Sequence, residues 1–151
     1  MLLLNKEVKS MFHTLNATDV RRDWSAVIDT VVREKPAFIK RTRDQLILAN
    51  TSTLMTLLEA YSFSASQFME DDGSITISLD AIDLAENALT LQEAVNKMAS
   101  AILEYATDYY NDFAFWSRGN RVSHVPYVLK ALILNDLQKI GELIKCQPGK
   151  S

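Results

Sequence analysis

The chain has 151 residues, 48% of them hydrophobic and 23% charged, with a net charge of −3; this allows one domain, or two small ones, and is too apolar for a disordered chain. Four Gly and three Pro are too few for an all-β fold with many tight turns. The single Cys146 can form no internal disulfide, which fits a reducing cytoplasm, and Leu2-Leu3-Leu4 is too short for a membrane span or a signal segment.

Taken in chain order, Met11–Leu15 can form a strand. Residues 16–35 read as a helix, because Val20, Trp24, Val27, Ile28, Val31 and Val32 recur on one apolar face. Asn16 or Thr18 can cap it, and Pro36 ends it. Ala37–Arg41 and Leu46–Ala49 are two apolar runs separated by the polar turn Thr42-Arg43-Asp44-Gln45, the pattern of a hairpin. Asn50 or Thr51 then caps a helix with the face Leu54, Leu57, Leu58 and Tyr61. The first 62 residues therefore read as β-α-β-β-α.

Residues 63–73 read as a linker ending in Glu70-Asp71-Asp72-Gly73. Ser74–Leu79 alternates as a half-buried strand. Thr90-Leu91-Gln92-Glu93 is a capping box opening a long helix whose stripe is Leu91, Val95, Met98, Ile102, Tyr105, Tyr109, Phe113 and Trp116. After a loop over Ser117–His124, Pro126 stands near the start of a last helix. That helix has the face Leu129, Leu132, Ile133, Leu137, Ile140, Leu143 and Ile144, and should pair antiparallel with the first. The expected fold class is α+β: an N-terminal module over 1–62, and a mainly helical region over 74–151 made of a strand and two long helices.

The net charge hides a partition. Residues 16–43 hold seven basic and four acidic side chains; residues 44–116 hold twelve acids and a single base, Lys97; residues 117–151 hold six bases and two acids. Such segregation suggests different partners for different segments, although acids along helix faces also serve plain solvation.

The stretch Asn16-Ala17-Thr18-Asp19-Val20-Arg21-Arg22-Asp23-Trp24 resembles the opening of Phd/YefM antitoxins. There a small polar residue starts the first helix and an arginine follows a turn later. Lys35-Pro36-Ala37-Phe38-Ile39-Lys40-Arg41 resembles that family's strand ending in Ile-x-Arg, and Leu46-Ile47-Leu48 with Asn50 resembles its next strand and helix. The likeness spans roughly 11–62. It implies a module that dimerises and sets its first helix against operator DNA, with Thr18, Arg21 and Arg41 at the DNA-facing positions. Arg22, Lys40 and Arg43 join them on charge alone. Many relatives end in a short tail that orders on the toxin, whereas here residues 74–146 look folded. That half resembles a longer branch of the family whose members pair with RelE-like toxins; Leu103–Tyr110 and Asn120–Tyr127 carry the likeness. The resemblance implies a homodimer with two partners, a cognate toxin protein and operator DNA, and neither a cofactor nor a membrane.

Arginine forks onto phosphate or guanine edges, and two such surfaces in a symmetric dimer address two half-sites. The bland account is surface solvation, with Asp19 and Asp23 pairing with Arg22. Glu104, Asp108 and Asp112, four residues apart, form an acidic ridge that can meet a basic RNase toxin, with Tyr110, Phe115 and Trp116 as apolar anchors. The bland account there is a solvated ridge above a packed aromatic core. His13 and His124 lie far apart with no zinc-type spacing, and Asp80, Asp83 and Glu86 read as a capped turn as readily as a carboxylate site. No Gly-rich phosphate loop is present, so the sequence advertises no catalysis. Three rival readings remain: a DNA-binding regulator without a toxin, a helical interaction scaffold, and an enzyme, which would need a clustered polar pocket that the sequence does not advertise.

Overall fold

The computed structural model describes residues 13–149. The fold is α+β, and the chain divides into two compact units, 1–56 and 57–151.

In the first unit β1 (Leu15–Asn16) runs into α1 (Ala17–Arg22) and α2 (Trp24–Arg33), followed by β2 (Ala37–Arg41) and β3 (Asp44–Leu48). The sheet order is β1-β2-β3, with β1 parallel and β3 antiparallel to β2. Of the strand expected over Met11–Leu15, Leu15 pairs with Ile39, and Met11 lies outside the described residues. The single helix expected over 16–35 is bent at Asp23 (φ −106°, ψ 31°). Its ladder continues through the bend, since Asp23 N–H donates to Asp19 C=O and Val27 N–H to Asp23 C=O. The hairpin closes on two residues rather than four: Arg41 pairs with Asp44, and Thr42 takes the left-handed φ of 53° that so tight a turn demands. Among the described residues Val20, Val31 and Ala37 are the buried apolar side chains of this unit, whereas Trp24 of the expected apolar face is 53% exposed.

α3 (Thr51–Leu58) follows, and the division between units falls within it. Asn50 caps it: Oδ1 accepts from Ser52 N–H (3.0 Å), while Nδ2 donates to Val32 C=O at the end of α2 (3.1 Å).

The second unit departs most from expectation. The segment read as a linker carries β4 (Phe63–Met69), an interior strand. Phe63 and Ala65 point into the core while Ser64 and Ser66 alternate outward, and it is those serines that mimic a loop. β5 (Ile75–Leu79) and β6 (Ala85–Ala88) pair antiparallel on one side of it, and β7 (Ile144–Pro148) pairs parallel on the other, giving the order β6-β5-β4-β7. In place of one strand the region therefore has four. α4 (Leu91–Asn111) buries Ala94, Met98, Ala99, Ile102, Ala106 and Tyr109 against this sheet and the later helices. Thr90 caps it as expected, with Oγ1 accepting from Glu93 N–H (3.2 Å).

α4 stops one turn before the end of its sequence stripe. Asp112 leaves helical geometry (φ −137°), and α5 (Phe113–Trp116) and a 3-10 segment (Gly119–His124) follow. The expected last long helix is two, α6 (Val125–Leu134) and α7 (Leu137–Leu143), with Ile144 already in β7. Asn135 adopts the left-handed conformation (φ 42°) that ends a helix, and the Asp136 carboxylate starts the next by accepting from Lys139 N–H (3.0 Å).

Both borders of the four-stranded sheet are blunted. Lys97 Nζ donates to Asn87 C=O of β6 (2.9 Å). At the other border β7 ends in Pro148, which has no N–H, and Ile144 N–H is taken by Gly141 C=O.

Lys130 of α6 is buried, 7% exposed, and its ammonium donates to Tyr61 C=O (2.8 Å) and Leu58 C=O (3.3 Å) at the end of α3. Desolvation lowers its pKa from the ordinary 10.5. Lys130→Met leaves Tyr61 C=O without this donor and lowers stability by about 1–2 kcal/mol at neutral pH. The folded wild type releases the Lys130 proton before the unfolded chain does. Its stability therefore rises with pH between the depressed value and 10.5, and falls again as pH drops through that depressed value. Urea unfolding at neutral and alkaline pH should show the gap to the variant widening upward; a constant gap refutes the assignment.

Candidate functional site

The register of the first sheet sets the start of α1 beside the β2–β3 hairpin. Asn16 pairs with Lys40, so the start of α1 lies beside β2. Asn16 Oδ1 accepts from Thr18 N–H (2.8 Å); Asn16 is thus the cap, and Thr18 is exposed. A recess of about 380 Å³ is lined by Thr14, Leu15, Asn16, Lys40 and Thr42, so the helix start and the hairpin tip share one surface. Arg41 and Arg43 flank Thr42 at that tip, and Arg21 and Arg22 occupy the last turn of α1.

The guanidinium groups differ in their freedom. Arg22 is bridged to Asp23 (3.2 Å) and Asp19 (3.3 Å), and Arg41 to Asp44 across the hairpin (2.9 Å). The hydrogen bond to Asp23 and the charges of Asp23 and Asp19 hold the Arg22 pKa above its ordinary value. Arg21, Lys40 and Arg43 form no ion pair among the described residues. Exposed pairs are worth only about 0–1 kcal/mol, so Arg22 and Arg41 can exchange a carboxylate for another anion at small cost.

The same unit exposes apolar side chains: Val32 (57%), Leu46 (53%) and Ile47 (63%) beside Trp24. Leu46 and Ile47 belong to β3, a border strand of its sheet.

In the second unit Glu104 and Asp108 are exposed on α4, and Tyr110 is 62% exposed. Asp112 is exposed at the break after the helix. Phe115 is 49% exposed on α5, whereas Trp116 is half-buried. Trp116 packs edge-on against Tyr105 (5.6 Å between centroids), tilted against Tyr109 (6.1 Å) and perpendicular to Phe115 (6.1 Å). It is therefore part core and part surface, unlike the free anchor the sequence suggested. Phe113 and Val122 are exposed here too, and sequence reasoning missed them as surface residues.

It also missed Arg121. The Arg121 guanidinium carbon lies 4.7 Å from the Trp116 ring centroid and 5.1 Å from that of Phe115. Tyr109 Oη donates to Arg121 C=O (2.6 Å), and Tyr105 Oη is hydrogen-bonded to His124 Nδ1 (2.7 Å). Desolvation raises the pKa of both tyrosines; desolvation and then the Arg121 charge lower that of His124, keeping its imidazole neutral.

Among the described residues no group of three His, Cys, Asp or Glu side chains is placed to hold a metal ion, and no helix is long and apolar enough to cross a membrane.

The PHD-like family, described as antitoxins of RelE/RelB toxin–antitoxin systems, has a model that matches residues 11–146. No curated protein matches the chain. A crystal structure from Syntrophomonas wolfei subsp. wolfei, described as the antitoxin part of a proposed toxin/antitoxin system, superposes with a TM-score of 0.86. It is 37% identical, and the match covers 91% of this chain and 100% of that one.

Proposed function

The chain belongs to the PHD-like family of RelE/RelB antitoxins, and from that premise we propose that it neutralises a RelE-like RNase toxin by stoichiometric binding and represses its own operon by binding operator DNA as a homodimer, in the manner of Phd/YefM proteins. The observation that carries this reading is the opposite net charge of the two units, with nine bases to six acids over 1–56 and seven bases to thirteen acids over 57–151. The cations around the start of α1 and the β2–β3 hairpin suit phosphate, while the acids and exposed aromatics of α4 and α5 suit a cationic protein.

Thr18, Arg21, Arg22, Lys40, Arg41 and Arg43 are the proposed DNA contacts. Glu104, Asp108, Tyr110, Asp112, Phe115 and Trp116 are the proposed toxin contacts. Dimerisation through the N-terminal unit is supported by the exposed Trp24, Val32, Leu46 and Ile47, and by the position of β3 at the border of its sheet. Large apolar side chains left this exposed are suited to cover by a partner.

Co-expression with the product of the neighbouring reading frame, followed by co-purification, tests the toxin half. Charge reversal at all three acids (Glu104→Lys, Asp108→Lys, Asp112→Lys) should weaken toxin capture by about 10–100-fold, as expected for desolvated interfacial charges, with operator binding intact. Unchanged capture rejects the acidic ridge as the contact.

A further inference from the structure

We propose that Arg121 is the positioning residue of the toxin-docking patch, its planar guanidinium clamping Phe115 and Trp116 in the arrangement that a cationic toxin surface meets. The inference rests on the toxin reading above and adds to it the device that keeps the patch in shape.

The aromatic pair stands on α5, a helix of four residues with no buried side chain of its own. One turn of helix is too short to hold itself, so the rings depend on tertiary contacts. Arg121 supplies a contact to each ring from one side, at 4.7 and 5.1 Å, a geometry in which the cation is drawn to the ring faces.

Arg121 is itself fixed from beneath. Its carbonyl accepts from the hydroxyl of the buried Tyr109, and the end of its 3-10 segment is tied through His124 to Tyr105, one turn earlier on α4. The backbone is thus anchored to the core helix while the side chain reaches across to α5.

The clamp leaves the neighbouring acids unused. Arg121 forms no ion pair among the described residues, so its charge is balanced by ring faces. Glu104, Asp108 and Asp112 likewise form no ion pair there, and they remain for cations of the partner. The occupant that fits is therefore a basic protein surface that sets arginine or lysine against the acids and apolar atoms against Phe115. Lysine cannot replace the clamp, because Phe115 and Trp116 are perpendicular and a guanidinium can lay its plane on one ring and turn its edge N–H groups to the other, which a compact ammonium cannot.

The test uses the full chain, with Trp116→Phe as an optical blank that leaves Trp24 as its sole tryptophan, so that the Trp116 signal is read by difference. Arg121→Lys and Arg121→Met are added separately. Trp116 emission and near-ultraviolet circular dichroism are read on the free protein, together with the thermal midpoint and the affinity for purified toxin. Both variants should shift Trp116 emission to the red, weaken its near-ultraviolet band and reduce toxin affinity about tenfold, with the midpoint moved by only a few degrees. Restoration by lysine of both the Trp116 signal and the affinity overturns the planar clamp. An unmoved Trp116 signal overturns it as well. A moved signal with unchanged affinity overturns its role in docking. If the wild type captures no toxin at all, the functional reading fails and the docking role with it, and the Trp116 signal separately decides the clamp.

Discussion

Combined replacement of Arg21, Lys40 and Arg43 by alanine should reduce operator affinity by about 10²–10³-fold at near-physiological salt. It should also remove nearly three units per protomer from the slope of log affinity against log salt, at about 0.9 per phosphate contact. These are the three proposed cations that form no ion pair among the described residues, so nothing in the fold compensates for their loss and their removal should leave stability nearly unchanged. Arg22 and Arg41 provide the internal contrast. Each must give up an acid, Asp23 with Asp19 or Asp44, before it can meet phosphate. Single alanine variants at these two should cost less than single variants at Arg21, Lys40 or Arg43, and Asp19→Asn with Asp23→Asn should strengthen binding by freeing Arg22. A salt titration by gel shift reads all of this. An unaltered slope in the triple variant would remove the cationic surface from the account of DNA binding.

The second large effect belongs to Tyr109. Its ring is fully buried against Phe113 (5.4 Å), Trp116 and Tyr105, and its hydroxyl holds Arg121 C=O. Tyr109→Ala removes the largest fully buried side chain among the described residues and should open a cavity under both α5 and the 3-10 segment. The expected loss is about 4 kcal/mol, the range for truncating a buried aromatic. Tyr109→Phe keeps the ring and should cost about 1 kcal/mol, the worth of a hydrogen bond whose acceptor is left without its donor. Urea unfolding of the three proteins checks the ordering. Equal loss in both variants would place the whole contribution in the hydroxyl, contrary to the packing.

The cap at Thr90 was readable in the sequence, because a cap is a local interaction between a side-chain oxygen and an N–H two or three residues on, whereas the structure was needed to choose Asn50 over Thr51. Asn16 needed the structure to separate it from Thr18, since either side chain can serve from its position. The β2–β3 hairpin was equally local. The strands of the second unit were not. β7 exists through its pairing with β4, some eighty residues earlier in the chain, and nothing within Ile144–Pro148 distinguishes it from the end of an apolar helix. β6, Ala-Glu-Asn-Ala, has no β-branched residue to announce it. The break at Asn135-Asp136 was encoded locally, as a left-handed residue followed by a cap, but the regular apolar spacing on either side concealed it. The same distinction holds at the candidate surfaces. Arg22 beside Asp19 and Asp23 could be anticipated from helical spacing. Arg41 with Asp44 required the register of the hairpin. Arg121 could not be read at all, since only the 3-10 segment brings it over α5.

The closed borders of the β6-β5-β4-β7 sheet bear on the valency of the proposed assembly. With Lys97 on a carbonyl of one margin and an imino acid terminating the other, each flank of the C-terminal body has fewer main-chain groups to offer its twin. In the proposed dimer, joined through the N-terminal halves and not through these margins, each capture body is open to its own toxin. Saturation should arrive at one toxin per antitoxin chain, and a half-loaded species should appear on the way.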